Sequence, residues 1–237
     1  MTTTIIRMIT MGIFLFNSFL AKSQETTDYW FEGYVHTAQQ ASPYCTVVLT
    51  EKGSDKIKSV SLSSPTGLID FRGVAIDIYK EHILSVYCGD VLIGKFIREG
   101  FKHKPQFVGN LNTHIRLPET PSSFYTENRL SIDATHDEEI LRDFLLRTAD
   151  LEEDNGVYYL KNSDAPLRIF INHQPLAHEQ IQTLLSKVPM QLVKAIVINT
   201  FTHPNAYFSG AISIVLKQGQ VAEFPKDKIH KTLTSES

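Results

Sequence analysis

The chain has 237 residues, 42% of them hydrophobic and 21% charged, with a formal net charge of −3. That composition is globular and excludes a disordered or collagen-like chain. With no strongly basic stripe, nucleic acid is not an expected partner.

Residues 1–23 read as a leader. Arg7 is followed by an apolar run from Met8 to Leu20, and Ala21-Lys22-Ser23 places small residues at the two positions a signal peptidase inspects. The run is shorter than the roughly 20 apolar residues of a spanning helix and contains Asn17 and Ser18. A cleaved secretory signal peptide is expected, with Gln24 as the first mature residue. No cysteine lies near the cut, so no lipid anchor is expected there.

From residue 28 to 117 the pattern is short strands with turn signals. Gly33-Tyr34-Val35 opens the first strand, and Tyr44 to Thr50 is a β-branched run. Glu51 to Asp55 is a turn, Ile57 to Leu62 a strand, Ser64-Pro65-Thr66-Gly67 a turn, and Leu68 to Phe71 a strand stub. His82 to Cys88 alternates two sets of side chains. Gly89-Asp90 turns the chain into Val91 to Ile97, and a last strand is expected near Thr113 to Leu117. The spacing predicts an all-β sandwich. Residues 118–134, with Pro118, Pro121 and scattered charge, read as a linker.

The period changes after that. Thr135 to Glu138 forms a capping box before apolar residues at 140, 141, 144 and 145, which predicts a helix ending near Thr148. Glu152-Glu153-Asp154 reads as a solvated loop and Asp154-Asn155-Gly156 as a turn. Strands are expected at Val157 to Leu160 and Leu167 to Ile171. A helix beginning near Pro175 buries Ile181, Leu184, Leu185 and Val188, and Pro189 stops it. Val193 to Asn199 and Gly210 to Leu216 are two more strands. The order predicts a small α+β domain over 135–218, followed by a polar tail at 219–237.

Catalytic constellations are not apparent. His178-Glu179 lacks the second histidine of a zincin motif, and there is neither a Gly-x-Ser-x-Gly elbow nor a phosphate-binding loop. Asp137, Glu138, Glu139 and Asp143 form an acidic patch that suits the first turn of a helix. No enzyme activity, cofactor, metal or small-molecule substrate is expected. The two cysteines, Cys45 and Cys88, are too few for a zinc site alone. They are either bridged, as an exported protein permits, or two small buried hydrophobes.

Two resemblances follow from particular segments. Gly33-Tyr34-Val35, together with Ser64-Pro65-Thr66-Gly67-Leu68-Ile69-Asp70-Phe71, resembles the carboxypeptidase-regulatory-like, transthyretin-like β-sandwich modules, whose pattern runs Gly-x-Val, then Thr-x-x-Gly-x-Phe-x-Phe. Those modules sit beside catalytic domains and carry no zinc ligands themselves. The second half is similar to the plug domain of TonB-dependent outer-membrane receptors. Leu145-Leu146-Arg147 matches its first helix. Ile169-Phe170-Ile171 is followed by Asn172-His173 in place of the family's Asp-Gly. Val193 to Ile198 matches the next strand, and Tyr207-Phe208 precedes Gly210 to Lys217.

In receptors of this kind, typical of Bacteroidota, the plug is followed by a large barrel. Here the resemblance implies a plug-like domain with its sandwich neighbour and without that barrel. It implies a non-enzymatic periplasmic protein that occludes or gates an outer-membrane channel or translocon formed by another chain, of which the type IX secretion route is one example. The implied partner is an integral outer-membrane β-barrel protein. A periplasmic scaffold or binding module, or a receptor remnant, is the alternative. The candidate partner contacts are Asn172 and His173, the loop Thr200 to Asn205 with Thr202, His203 and Asn205, and the Gly89-Asp90 turn. Each is also an ordinary surface turn.

Overall fold

The computed structural model describes residues 29–107, 109–119, 124–132, 139–176, 178–203 and 205–217. The expected leader, the capping box at 135–138 and the polar tail at 219–237 lie outside the described residues.

The first half contains β1 (Tyr29–Trp30), β2 (Glu32–His36), β3 (Thr46–Glu51), β4 (Ile57–Leu62), β5 (Leu68–Asp70), β6 (His82–Cys88), β7 (Val91–Arg98), β8 (Gly109–Asn110) and β9 (Thr113–Arg116). Strands β4-β3-β6-β7 make one antiparallel sheet and β5-β2-β9 a second, with β1 and β8 paired in parallel. Alternation decides what fills the space between them. Val47 and Leu49 of β3, with Leu84 and Val86 of β6, share a core with Val35 of β2, Ile69 of β5 and Ile115 of β9. That core is the sandwich the sequence predicts.

One glycine is required by close approach. β2 and β9 run parallel with Gly33 opposite Thr113. A Cβ on Gly33 would lie 1.7 Å from the Thr113 carbonyl oxygen, so any side chain there forces the two strands apart.

The second half contains β10 (Tyr125–Arg129), α1 (Leu141–Thr148), β11 (Leu151–Asp154), β12 (Val157–Leu160), β13 (Leu167–Ile171), β14 (Gln174–Pro175), α2 (His178–Leu185), a short 3-10 turn (Met190–Leu192), β15 (Val193–Phe201) and β16 (Gly210–Leu216). Five strands form one mixed sheet in the order β10-β15-β16-β13-β14, with only β13 and β16 parallel. Leu141, Phe144 and Leu145 of α1, with Ile181 and Leu185 of α2, pack on one face of it. They meet Ile169, Ile171, Ile196, Ile198, Ile212 and Ile214.

Three expectations need correction. The stretch read as a linker, 118–134, holds β10, which pairs along its whole length with β15 from Tyr125 opposite Phe201 to Arg129 opposite Val197. Its side chains are mostly polar and exposed, so its place is fixed by backbone hydrogen bonds that leave no hydrophobic period to read. The acidic segment Glu152-Glu153-Asp154 is not a loop but most of β11, hydrogen-bonded to β12 around a turn with Asn155 and Gly156 both at positive φ. The first helix begins at Leu141. Ile140 is extended and bridges Pro189, so Glu139 lies outside the helix. Glu139 instead accepts two hydrogen bonds from Arg147, at 2.9 Å each.

Candidate functional site

The far face of the five-stranded sheet is also covered, and this creates a seam between the two halves. Residues alternate along its strands, so those not facing the helices point toward the sandwich. These are Phe170 on β13, Asn199 and Phe201 on β15, and Ala211 and Ser213 on β16. Tyr44, Leu62, Phe170, Phe201 and Ala211 form a buried apolar cluster there, with Phe124, Tyr125 and Phe208 at its margin. A mixed sheet with apolar or neutral side chains on both faces must be covered on both.

Tyr44 is the centre of the seam. Its backbone adopts φ 59°, unusual for an aromatic residue, and its amide donates to the Ser63 carbonyl at 3.0 Å. This turns the ring out of the β3 ladder and across to the second sheet. There it meets Tyr125 edge-on, with ring centroids 5.0 Å apart, and Phe170 at 6.3 Å. Its hydroxyl lies 3.1 Å from Ser213 Oγ and accepts from Asn199 Nδ2 at 3.0 Å. Burial pushes the Tyr44 phenol pKa up, an effect the Ser213 hydrogen bond opposes. The hydroxyl is therefore a neutral structural group.

A second polar link lies close by. Asn205 Nδ2 donates to Thr46 Oγ1 at 2.8 Å and to the Gly89 carbonyl at 3.3 Å. Its Oδ1 accepts the amides of Tyr207 and Phe208, each at 2.9 Å. On the same face of β13 as Phe170, partly buried Arg168 has its pKa drawn down by desolvation, while the Asp70 carboxylate of the sandwich opposes that shift.

The candidate contact residues are thus not equivalent. Asn205 and the Gly89 carbonyl are committed to the seam and are not open to a partner in this arrangement. Asn172 (φ 48°) and His173 (φ 68°) form the tight turn between β13 and β14. Asn172 is half-buried and accepts the Leu216 amide at 2.9 Å, whereas His173 is exposed at the turn apex. Thr202 and His203 are exposed after β15, and the Thr202 amide donates to the Phe124 carbonyl at 2.9 Å.

These two exposed turns lie at opposite ends of the sheet. Register pairs Ile171 with Ile214 but Leu167 and Thr200 with Gly210. About 13 Å of strand separates them at a rise of about 3.3 Å per residue. They do not share a rim.

Sequence reasoning missed two exposed features of the sandwich. On the outer face of β2 and β9, Tyr34 stacks on His114 with centroids 6.0 Å apart, and His36 meets the same imidazole edge-on at 6.3 Å. Only the parallel pairing of the first and last long strands brings them together, although Tyr34 and His36 already have same-face spacing. The second feature is β7, an eight-residue edge strand on which Val91 (52% exposed), Leu92 (43%) and Ile97 (60%) face solvent. Among the described residues, no three His, Cys, Asp or Glu side chains are grouped to hold a metal ion. Among those residues, too, no helix is long and apolar enough to cross a membrane. No family model matches the chain, and no curated protein matches it.

Proposed function

We propose that this is a non-enzymatic exported protein that occludes or gates an outer-membrane channel or protein translocon made by another chain, with the type IX secretion route as one such setting. The protein acts in the periplasm and reaches the outer membrane through a β-barrel partner. The reading rests on the plug-like order of segments from Leu145-Leu146-Arg147 to Gly210–Lys217. The observation that carries it furthest is the seam. It covers the second face of the mixed sheet and leaves polar turns such as Asn172-His173 and Thr202-His203 at the two sheet ends. A stopper needs this combination: an interior that does not open, and a polar periphery to meet a water-filled lumen or mouth. On this reading the two halves enter the complex as one body, and the occluding surface is an end of the sheet and not one of its faces.

A second reading, a periplasmic scaffold or binding module, is favoured by the β7 edge. An unpaired eight-residue edge with exposed Val91, Leu92 and Ile97 suits strand addition by a partner. Both readings are tested by affinity purification of the tagged protein in mild detergent, with mass spectrometry of what copurifies. Near-stoichiometric recovery of one large outer-membrane barrel protein supports the stopper. Recovery of soluble periplasmic proteins whose binding is lost in Ile97→Lys supports the binding module. A monomer without a membrane partner overturns the stopper.

A further inference from the structure

The two cysteines have no part in the reading above, yet they adjoin Tyr44, Thr46 and Gly89, three residues at the ends of β3 and β6 that hydrogen-bond to the second half. Thr46 on β3 pairs with Tyr87 on β6. The next step of that antiparallel ladder sets Cys45 opposite Cys88. Both are buried, at 0% and 1% exposure, and their Sγ atoms are 2.7 Å apart. Both are thiols in this structure. Among the described residues no further His, Asp or Glu joins them in a metal-binding group, so a shared metal does not account for the pairing.

The chain neighbours of the pair give it a wider role. Tyr44, immediately before Cys45, reaches Ser213 and Asn199. Thr46, immediately after it, and Gly89, immediately after Cys88, are the two acceptors of Asn205. The positions of Tyr44, Thr46 and Gly89 therefore depend on the spacing of two strand ends that meet at the cysteines.

We propose that Cys45 and Cys88 are oxidised to a disulfide during export, and that this bond clamps the strand ends on which the second half of the chain is docked. The step is thiol–disulfide exchange with a disulfide oxidant of the exporting compartment. The Cys45 and Cys88 thiols lose two protons and two electrons as the Sγ–Sγ bond forms, and the oxidant disulfide is reduced to two thiols. The hydrogen bond shared with Cys88, and then burial, push the Cys45 thiol far above its usual range, so the thiolate is not available in the closed core. The exchange accordingly belongs to folding, before the two sheets close. This proposal requires an oxidising compartment and is independent of whether a channel partner exists.

The test begins with the full chain, carrying its own first 23 residues, exported to a bacterial periplasm, purified without reductant and alkylated in denaturant. No adduct is expected before reduction and two after it; two adducts before reduction would overturn the disulfide. Hydrogen exchange then compares the oxidised protein with its reduced form, and with a Cys45→Ala/Cys88→Ala variant that lacks the bond without reductant. Amides of 199–213 are expected to exchange several-fold faster in both uncrosslinked forms. Equal rates in all three would overturn the clamp while leaving the disulfide in place.

Discussion

Tyr44 and Asn199, 155 residues apart in the chain, meet at 3.0 Å in the buried seam between the sandwich and the α+β half. The pair is a strained aromatic residue on one side and a neutral amide on the other, with Ser213 completing the contact from β16. Burying such groups is costly unless they find partners; Asn199 Nδ2 finds one in the Tyr44 hydroxyl, whereas its Oδ1 is buried without a partner among the described residues. Removing one partner therefore costs more than the hydrogen bond itself contributes.

Tyr44→Phe keeps the ring contacts with Tyr125 and Phe170 but strands Asn199 Nδ2 in the seam. A loss of about 1–3 kcal/mol in urea unfolding is expected, the cost of an unsatisfied buried polar group. The double variant with Ser213→Ala should show a coupling of at least about 0.5 kcal/mol. Strict additivity would mean that the two hydroxyls do not interact.

Asn205→Ala removes four hydrogen bonds, two of them across the seam. It should lower stability by about 1–3 kcal/mol and increase proteolysis between the halves, with or without a partner present. A variant of native stability that fails only in partner capture would instead return Asn205 to the role of an external contact.

His82 gives the protein an acid sensitivity with a defined sign. It is buried against Phe31, Nδ1 faces the Lys80 carbonyl at 3.1 Å, and Nε2 has no partner among the described residues. Burial, and then the nearby Lys58 charge, lower its pKa from 6.5, while the Lys80 carbonyl, Glu51 and Asp77 oppose the shift. The unfolded chain thus binds the proton more readily than the folded one. Stability from this group is fully present above about pH 6.5 and is lost as pH falls toward the lower folded value. His82→Leu should flatten the dependence of the urea midpoint between pH 7.5 and 5. An unchanged slope would assign it to other groups.

Gly33→Ala tests the contact between the first and last long strands of the sandwich. With the added Cβ driven into the Thr113 carbonyl, a loss of about 2–3 kcal/mol or more is expected from overpacking that only backbone movement can relieve. A thermal midpoint equal to that of the parent would show that β2 and β9 tolerate separation.

Legibility in the sequence followed the physics of each element. β4, β6, β12, β13 and β16 have the bounds that their apolar pattern predicts; β6, β13 and β16 each bury at least one face and so carry a period, while β4 and β12 are only partly buried and are bounded by turn residues. β10 was illegible because it is a polar edge held through its backbone, and β11 because an acidic strand exposed on one side resembles a loop. The first helix lost its expected start because Ile140 joins a bridge to Pro189, a contact 49 positions away that no local signal foretells.

The candidate contacts divide the same way. That Asn172-His173 and the segment around Thr202 are turns is a local fact, fixed by side chains that tolerate positive φ or end a strand. Whether a turn is open to a partner is not local. Asn205 is taken up by Thr46 and Gly89, and the two exposed turns fall at opposite ends of one sheet. By itself, the sequence determined the division into a β-rich half and an α+β half, because the period of hydrophobic burial is written residue by residue. Only the tertiary structure decided that the halves share a seam through Tyr44, Asn199 and Ser213 and that Cys45 faces Cys88. Those relations depend on strand register and sheet packing, which bring together residues that carry no mark of one another in the chain.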